Sequence, residues 1–263
     1  FLGDLVTTIG DKAFESCIGL TSATFLGGYY DTLNLNMFDD CGVLNSITYC
    51  NDSTNWEDKT FNNGTNIITA EDQNCTFSDS GLIYRIINVR QVEVRGLEAG
   101  SSLVEINIPD TVTDNGKVYK VTSIGDSAFA DSSITSVNIG TNVTTIWSYA
   151  FIDCTSLTSI TIPDLVTSIG DYAFYNCTDL ISITVNPTNP NYSHIDGVLF
   201  NKDQTILIQY PAGKTAVTYR IPNSVTTIGN GAFGYCTSLT SITFLGDLVT
   251  TIGNWAFNNC TGL

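Results

Sequence analysis

A unit of 22 to 24 residues recurs along this chain of 263 residues. The clearest copy spans residues 166–180, and copies with the same internal spacing begin at Val143 and Val225. Seven phenylalanines mark the repeat: Phe14, Phe38, Phe129, Phe151, Phe174, Phe233 and Phe257. A fixed period of this length is typical of solenoids, in which each unit buries its apolar side against its neighbours. The repeat therefore predicts a stack of similar units and not a compact globular core.

Each unit can be divided into two extended runs and two turns. Apolar and polar residues alternate over residues 157–162, which predicts a strand with one buried face. Pro163 begins a turn, and Gly170 permits a tight turn after the second extended run. Residues 171–177 contain Ala173 and Phe174, and we predict a short helical or 3-10 turn there.

The repeated pattern Ile-Pro-Asp-x-Val-Thr-Ser-Ile-Gly-x-x-Ala-Phe-x-x-Cys-x-x-Leu-x-x-Ile resembles the BspA-type, or Treponema pallidum-type, leucine-rich repeat family. The resemblance covers most of the chain, and the constant spacing makes it specific. It implies an extracellular or cell-surface protein of bacteria or some protozoan parasites, in a family associated with adhesion to host proteins and to other cells. The predicted fold class is an α/β repeat, a leucine-rich-repeat solenoid with short parallel strands, short helical or 3-10 turns and hairpin insertions.

The breaks in the repeat divide the chain into four segments. We predict leucine-rich repeats at the end of an array in 1–49, a polar loop or linker in 50–76, an extended or hairpin lead-in in 77–120, and BspA-type repeats in 121–263 with a hairpin insertion at 186–220. Residues 1–20 match residues 244–263 at 15 of 20 positions, as expected for a piece of a longer array or an array without its cap. The first residues have no basic region, so we expect no signal peptide within this chain. One array and two arrays both fit this pattern.

Six of the eight cysteines lie three residues after a marker phenylalanine: Cys17, Cys41, Cys154, Cys177, Cys236 and Cys260. A thiol at a fixed repeat position packs as a small hydrophobic group, whereas a metal site needs ligands that converge on one point. We therefore predict a buried column of reduced, unmetallated thiols. Cys50 and Cys75 lie outside the column and flank one polar segment, and we predict a disulfide between them.

Charge and motifs argue against several kinds of function. Acidic residues number 26 and basic residues 10, a net charge of −16, so the chain should repel nucleic acid and anionic membrane surfaces. No apolar run reaches the roughly 18–20 residues of a membrane span. The single histidine, His194, is expected in a polar turn, and no zinc-protease, phosphate-loop or dinucleotide-binding motif occurs. We expect no enzyme activity, no cofactor and no metal.

Two surfaces are candidates for binding. Strand residues that face away from the core should form a flat sheet of small hydroxyl groups, which includes Ser159, Thr161, Ser182 and Thr184. Binding hot spots favour Trp, Tyr and Arg, and such residues lie in the turns of the repeats instead. They are Trp147, Tyr149, Tyr172, Tyr175, Tyr235 and Trp255. These aromatic residues either form an exposed edge of the array or are partly buried there.

The resemblance and the missing catalytic set together predict a non-enzymatic cell-surface module for adhesion or protein–protein interaction. Its partner would be a protein on a host or neighbouring cell. A glycan-binding module is an alternative, because surfaces rich in aromatic and hydroxyl groups suit sugars. A structural spacer in a larger surface protein is the other alternative.

Overall fold

The structure is a computed structural model that describes residues 9–26, 37–50, 60–62, 67–72, 76–88, 90–114 and 116–263. The described residues form 22 strands and no helix, and they fall into two compact units. One unit lies within 1–77, 84–92 and 113–119, and the other within 78–83, 93–112 and 120–263. The strands up to residue 124 are β1 (Ser22–Leu26), β2 (Ser46–Cys50), β3 (Thr60–Asn62), β4 (Ile67–Asp72), β5 (Thr76–Asp79), β6 (Leu82–Asn88), β7 (Gln91–Leu97), β8 (Glu105–Ile108), β9 (Thr111–Asp114) and β10 (Lys117–Ile124). The later strands are β11 (Ser136–Ile139), β12 (Thr145–Ile146), β13 (Ser159–Ile162), β14 (Ser168–Ile169), β15 (Ser182–Val185), β16 (Tyr192–Ile195), β17 (Val198–Asn201), β18 (Ile206–Gln209), β19 (Thr218–Ile221), β20 (Thr227–Ile228), β21 (Ser241–Phe244) and β22 (Thr251–Ile252).

The first unit contains a small parallel stack. Strand β1 pairs with β2 and β2 with β4, all parallel, with Ser22 opposite Ser46 and Ile47 opposite Ala70. Strand β3 runs antiparallel to β4. Segment 50–76, which we expected to be a polar loop or linker, thus contains two strands. Its β-branched run at Ile67-Ile68-Thr69 favours an extended conformation despite the polar composition around it.

The second unit contains the regular repeats. Strands β8, β11, β13 and β15 form one parallel sheet, in which Glu105 is opposite Ser136 and Ser159 is opposite Ser182. Strands β10, β12 and β14 pair in parallel as the second extended runs of the same repeats. The predicted short strands near 158–162, 181–185 and 240–244 are confirmed as β13, β15 and β21.

The core of the second unit consists of columns of equivalent side chains. In β13, Ile160 and Ile162 are buried while Ser159 and Thr161 are exposed, which is the predicted alternation. The rings of Phe129, Phe151 and Phe174 stack at centroid distances of 5.3 and 5.7 Å. Stacking repeats therefore bury an apolar face that one repeat alone could not cover.

The prediction of short helical or 3-10 turns is wrong. The turn of residues 171–177 has left-handed backbone at Tyr172 (φ 58°) and Asn176 (φ 57°), and helices need negative φ at every residue. The first left-handed place is filled in other repeats by Lys12, Ser127, Tyr149, Gly231 and Trp255. The second is filled by Ser16, Asp40, Asp131, Asp153, Tyr235 and Asn259. The repeat is consequently built from strands and hydrogen-bonded turns.

Residues 186–220, where we predicted a hairpin insertion, contain the three strands β16, β17 and β18. Strands β16 and β17 are antiparallel, as are β17 and β18, and β18 then pairs in parallel with β20 of the next repeat. His194 lies in β16 and not in a polar turn, because Tyr192 is buried and begins an extended run. The backbone N–H of Val185 donates to Nδ1 of His194 at 3.1 Å, so this histidine joins the hairpin to β15.

Candidate functional site

Backbone hydrogen bonds hold the turns of successive repeats in register. The amide of Tyr149 donates to the carbonyl of Asp171 at 3.1 Å, and the amide of Phe151 donates to that of Ala173 at 2.9 Å. Equivalent positions of neighbouring turns therefore lie one above the other. Aromatic side chains at these positions are brought together although they are more than 20 residues apart in the chain.

We call the six aromatic turn residues the aromatic edge: Trp147, Tyr149, Tyr172, Tyr175, Tyr235 and Trp255. Five of them form one contiguous cluster. The rings of Tyr149 and Tyr172 stack at 5.4 Å, and Tyr172 contacts Trp255 at 5.8 Å. Tyr175 contacts Tyr235 edge to face at 5.4 Å and Trp255 at 6.3 Å.

Exposure differs strongly along the aromatic edge. Trp255 is 63% exposed, Trp147 49% and Tyr149 37%, whereas Tyr175 is only 7% exposed. Tyr172 and Tyr235 are half-buried. Burial raises the pKa of the Tyr175 hydroxyl above its usual value. The edge thus has a buried centre and exposed flanks, so each of the two sequence-based alternatives holds for part of it.

A shortened turn explains why Tyr172 and Tyr175 reach Trp255. Two repeats lie between them, residues 181–217 and 218–240; the first carries the hairpin, and we call it the interrupted repeat. In the repeats of Ile169 and Ile228, the marker phenylalanine lies five residues after that isoleucine. In the interrupted repeat, Leu207 takes the place of the isoleucine and Tyr210 that of the phenylalanine, and they are only three residues apart. Two residues of the turn are therefore missing from the interrupted repeat, and the tyrosine rings extend across the gap.

The contacts across the gap are specific. The Tyr175 hydroxyl donates to Oδ1 of Asn258 at 3.1 Å, and that of Tyr172 donates to the carbonyl of Asn254 at 3.4 Å. A Cβ atom at Gly231 would lie 2.7 Å from the ring of Tyr175. Glycine is therefore required at this place, where other repeats carry larger side chains. Sequence reasoning missed this contact, although the short spacing before Tyr210 was a visible signal.

The hydroxyl surface of the parallel sheet is also present. Thr161 lies opposite Thr184, and their hydroxyl oxygens are 2.8 Å apart. Ser159 and Thr161 are exposed, while Ser182 and Thr184 are half-buried. These hydroxyl groups partly satisfy one another, which leaves a uniform surface with few distinctive features.

The cysteine column has a hydrogen-bonding role that the sequence did not reveal. The thiols of Cys154, Cys177 and Cys260 donate to the carbonyl of the marker phenylalanine one repeat earlier, at 3.0, 3.1 and 2.9 Å. All six cysteines of the column are free thiols. Burial raises the pKa of the Cys154 thiol to about 11, and burial also raises the pKa of the Cys177 thiol well above its usual range.

Burial of the column is less uniform than we predicted. Cys260 is half-buried and Cys17 is exposed, because no described repeat stacks over their outer sides. Cys75 lies outside the described residues, so its disulfide with Cys50 stays a prediction. Within the described ranges, no three His, Cys, Asp or Glu side chains converge as a metal site would require. Nor does that part of the chain contain a helix of the length and hydropathy that could span a membrane.

Parallel repeats, a phenylalanine column and hydrogen-bonded turns together define a leucine-rich-repeat solenoid. The sequence matches the BspA type leucine rich repeat region in six copies, over residues 2–117, 122–211 and 212–263. The chain therefore belongs to the BspA-type leucine-rich repeat family. No curated protein matches the chain.

Several solved structures are similar to this chain. A leucine-rich repeat protein from Eubacterium ventriosum is 24% identical, with 70% of this chain and 69% of that chain covered and a TM-score of 0.43. The leucine-rich repeat protein of T. pallidum is 20% identical, with 71% and 90% covered and a TM-score of 0.46. The pneumococcal vaccine antigen PcpA is 18% identical, with 71% and 68% covered and a TM-score of 0.41.

Proposed function

We propose that this chain is a cell-surface adhesion module that binds a protein ligand of a host or neighbouring cell through its aromatic edge. Repeats of this family are interaction modules in general, and the match indicates no enzyme family. The observation that carries the proposal is the contiguous cluster of Tyr149, Tyr172 and Trp255, exposed at its flanks. Large aromatic side chains of this kind are enriched among the residues that dominate binding energy.

The backbone at the aromatic edge supports a role beyond stability. Tyr149 and Trp255 have φ of 59° and 54°, a left-handed conformation that costs a bulky residue about 1–2 kcal/mol. Equivalent places in other repeats hold Ser127 and Gly231, so the fold accepts small residues there. Trp255 remains mostly exposed, so burial does not fully offset this strain. Aromatic residues kept at strained, exposed positions are typical of binding sites.

The hydroxyl surface supports binding less well. Ser and Thr are under-represented among hot spots, and the paired hydroxyls of Thr161 and Thr184 already satisfy one another. The net charge of −16 favours a ligand with exposed Arg or Lys side chains. Such cations can also lie over the indole of Trp255, a favourable cation–π arrangement.

Bead adhesion tests the proposal. Beads that display the chain are applied to immobilised laminin, collagen and fibronectin, and a triple variant carries Trp147→Ser, Tyr149→Ser and Trp255→Ser. Single sites should bind weakly and gain strength from many copies, so we expect retention of wild-type beads and at least about a tenfold loss for the triple variant. Tyr172 and Tyr175 are left intact because their hydroxyl groups bond to Asn254 and Asn258 and so connect non-adjacent repeats.

The matched control changes the other candidate surface, with Ser159→Ala, Thr161→Ala and Ser182→Ala. These beads should adhere as wild type does. Circular dichroism confirms that both variants keep the fold. Equal adhesion by wild type and the aromatic variant would refute the site, and loss in the control alone would move it to the sheet. Adhesion by none of the beads would contradict a protein ligand of this class and favour the glycan or spacer alternatives.

A further inference from the structure

The interrupted repeat leaves a cavity of about 360 Å³ beside the shortened turn. Strand β18 pairs with β17 on the edge where β14 of the preceding repeat would otherwise pair. Strands β14 and β18 are therefore not paired with each other at this point. Ile169, Tyr172 and Phe174 line one side of the cavity, and Ile208, Gln209 and Asn230 line the other.

The edges of the cavity are fixed by hydrogen bonds. The hydroxyl of Tyr192 accepts the amide hydrogen of Ile169 at 2.9 Å and donates to the carbonyl of Thr167 at 3.4 Å. The side-chain amide of Asn230 donates to Oδ2 of Asp171 at 3.0 Å and so connects the two sides. The cavity is therefore a built feature of the fold with defined walls.

Gln209 offers an unused acceptor in this cavity. Its side chain is only 3% exposed, and its Nε2 donates to the carbonyls of Tyr210 and Ala232 at 3.0 and 3.3 Å. Among the residues that the structure describes, none donates to its Oε1. An amide oxygen that accepts from no protein group is free to accept a hydrogen bond from a ligand group that donates one.

Among the residues that the structure describes, none accepts a hydrogen bond from the amide of Tyr172 beside the shortened turn. In the preceding repeat the amide of Tyr149 donates to the carbonyl of Asp171. The amide of Tyr172 has the equivalent position, but the residue that would accept its hydrogen is one of the two missing from the interrupted repeat. Acceptor and donor therefore lie in one cavity beside the ring of Tyr172.

We propose that this cavity binds one hexose unit of a neutral saccharide. Sugar hydroxyls both donate and accept hydrogen bonds, which suits Gln209 and the Tyr172 amide, and the C–H face of a hexose suits an aromatic ring. No Lys or Arg side chain lies among the described residues that line the cavity, which disfavours acidic sugars. Asp171 is the one carboxylate there, too few oxygens for a hard cation. The volume is at the lower end of the roughly 300–1,000 Å³ of small-ligand pockets.

Nuclear magnetic resonance tests this inference. The whole chain is titrated separately with D-glucose, D-galactose and N-acetyl-D-glucosamine, and the side-chain amide of Gln209 is observed. At least one sugar should shift that signal with a dissociation constant of about 1 mM, as expected for a ligand of this size. N-Acetylneuraminic acid, which is anionic, should bind at least about tenfold more weakly.

Two variants act on the cavity in different ways. Gln209→Leu removes the acceptor while nearly conserving volume, and Ile206→Trp fills the cavity from β18. Each variant should raise the dissociation constant of the sugar at least about tenfold. Binding is followed through the shifts of the backbone amides that line the cavity, and an unchanged circular dichroism spectrum shows that the variant is folded. Leu165→Ala serves as the control, because Leu165 is exposed and lies outside both the cavity and the aromatic edge.

This inference and the proposed function fail in different ways. A loss of bead adhesion in the triple variant Trp147→Ser, Tyr149→Ser and Trp255→Ser does not test sugar binding in the cavity. Sugar binding in the cavity likewise does not test adhesion through the aromatic edge. The inference is overturned if none of the three neutral sugars shifts the Gln209 signal up to about 50 mM, well above the expected constant. It is also overturned if both cavity variants bind as wild type does, or if the acidic sugar binds equally well.

Discussion

The ring of Phe151 lies in the middle of a stack of three phenylalanines. Its centroid is 5.3 Å from that of Phe129 and 5.7 Å from that of Phe174, with interplanar angles of 7° and 8°. The side chain is fully buried. Deleting a buried phenylalanine side chain costs about 3–5 kcal/mol, and each lost ring pair adds to the loss. We therefore expect Phe151→Ala to lower the free energy of unfolding by about 4–5 kcal/mol.

Phe257 provides a matched control in the same column. Among the described aromatic residues, its ring stacks only on that of Phe233, at a centroid distance of 5.0 Å, and its side chain is partly exposed. Water can fill part of the space that Phe257→Ala leaves, so we expect a loss of about 2 kcal/mol. The difference between the two variants isolates the effect of being enclosed between two repeats.

Urea unfolding followed by circular dichroism measures both losses, by linear extrapolation to zero denaturant. The solenoid account predicts that each repeat depends on its neighbours, so the central variant must lose clearly more than the outer one. Equal losses, or a loss below about 2 kcal/mol for Phe151→Ala, would refute this reasoning.

Two further predictions concern the turns and the thiols. Gly231→Ala should lower the free energy of unfolding by about 2–3 kcal/mol, because the added Cβ atom would lie 2.7 Å from the ring of Tyr175. Gly100→Ala has open space around it and should cost only about 1 kcal/mol, from left-handed backbone strain. Similar melting temperatures for the two variants would contradict the contact. Iodoacetamide should leave Cys177 unlabelled in the folded chain, since burial raises its pKa, and should label Cys260, whose pKa a hydrogen bond with the neighbouring thiol lowers. The labelling rate of Cys260 should rise at a lower pH than that of an ordinary thiol. If peptide mass spectrometry finds that Cys177 and Cys260 are labelled at the same rate, the predicted difference in their reactivity is disproved.

Strands and their spacing could be predicted from the sequence because they depend on local pattern. The alternation in residues 157–162 and the marker phenylalanines were enough to locate β13 and to align it with β15. The hairpin of β17 and β18 followed from two apolar runs around a polar turn. In each case the signal lies within one repeat or recurs at the same position in the next repeat.

The turns and the aromatic edge could not be predicted in the same way. The left-handed backbone of Tyr149 is accompanied by a hydrogen bond from its amide to the carbonyl of Asp171 in the next repeat, while the local composition resembled a helical turn. The contact of Tyr175 with Asn258 joins residues 83 positions apart and depends on the two residues missing before Tyr210. Which aromatic side chains are exposed is a result of that long-range register.

Hydrogen–deuterium exchange tests binding through the aromatic edge most directly. The chain is measured alone and with whichever of laminin, collagen or fibronectin retains the beads. We predict that bound ligand slows exchange in turn residues 147–151, 172–176 and 253–258 and leaves β13 and β15 unchanged. Slower exchange in β13 and β15, with the turn residues unaffected, would contradict the proposal and place the ligand on the hydroxyl surface of the sheet.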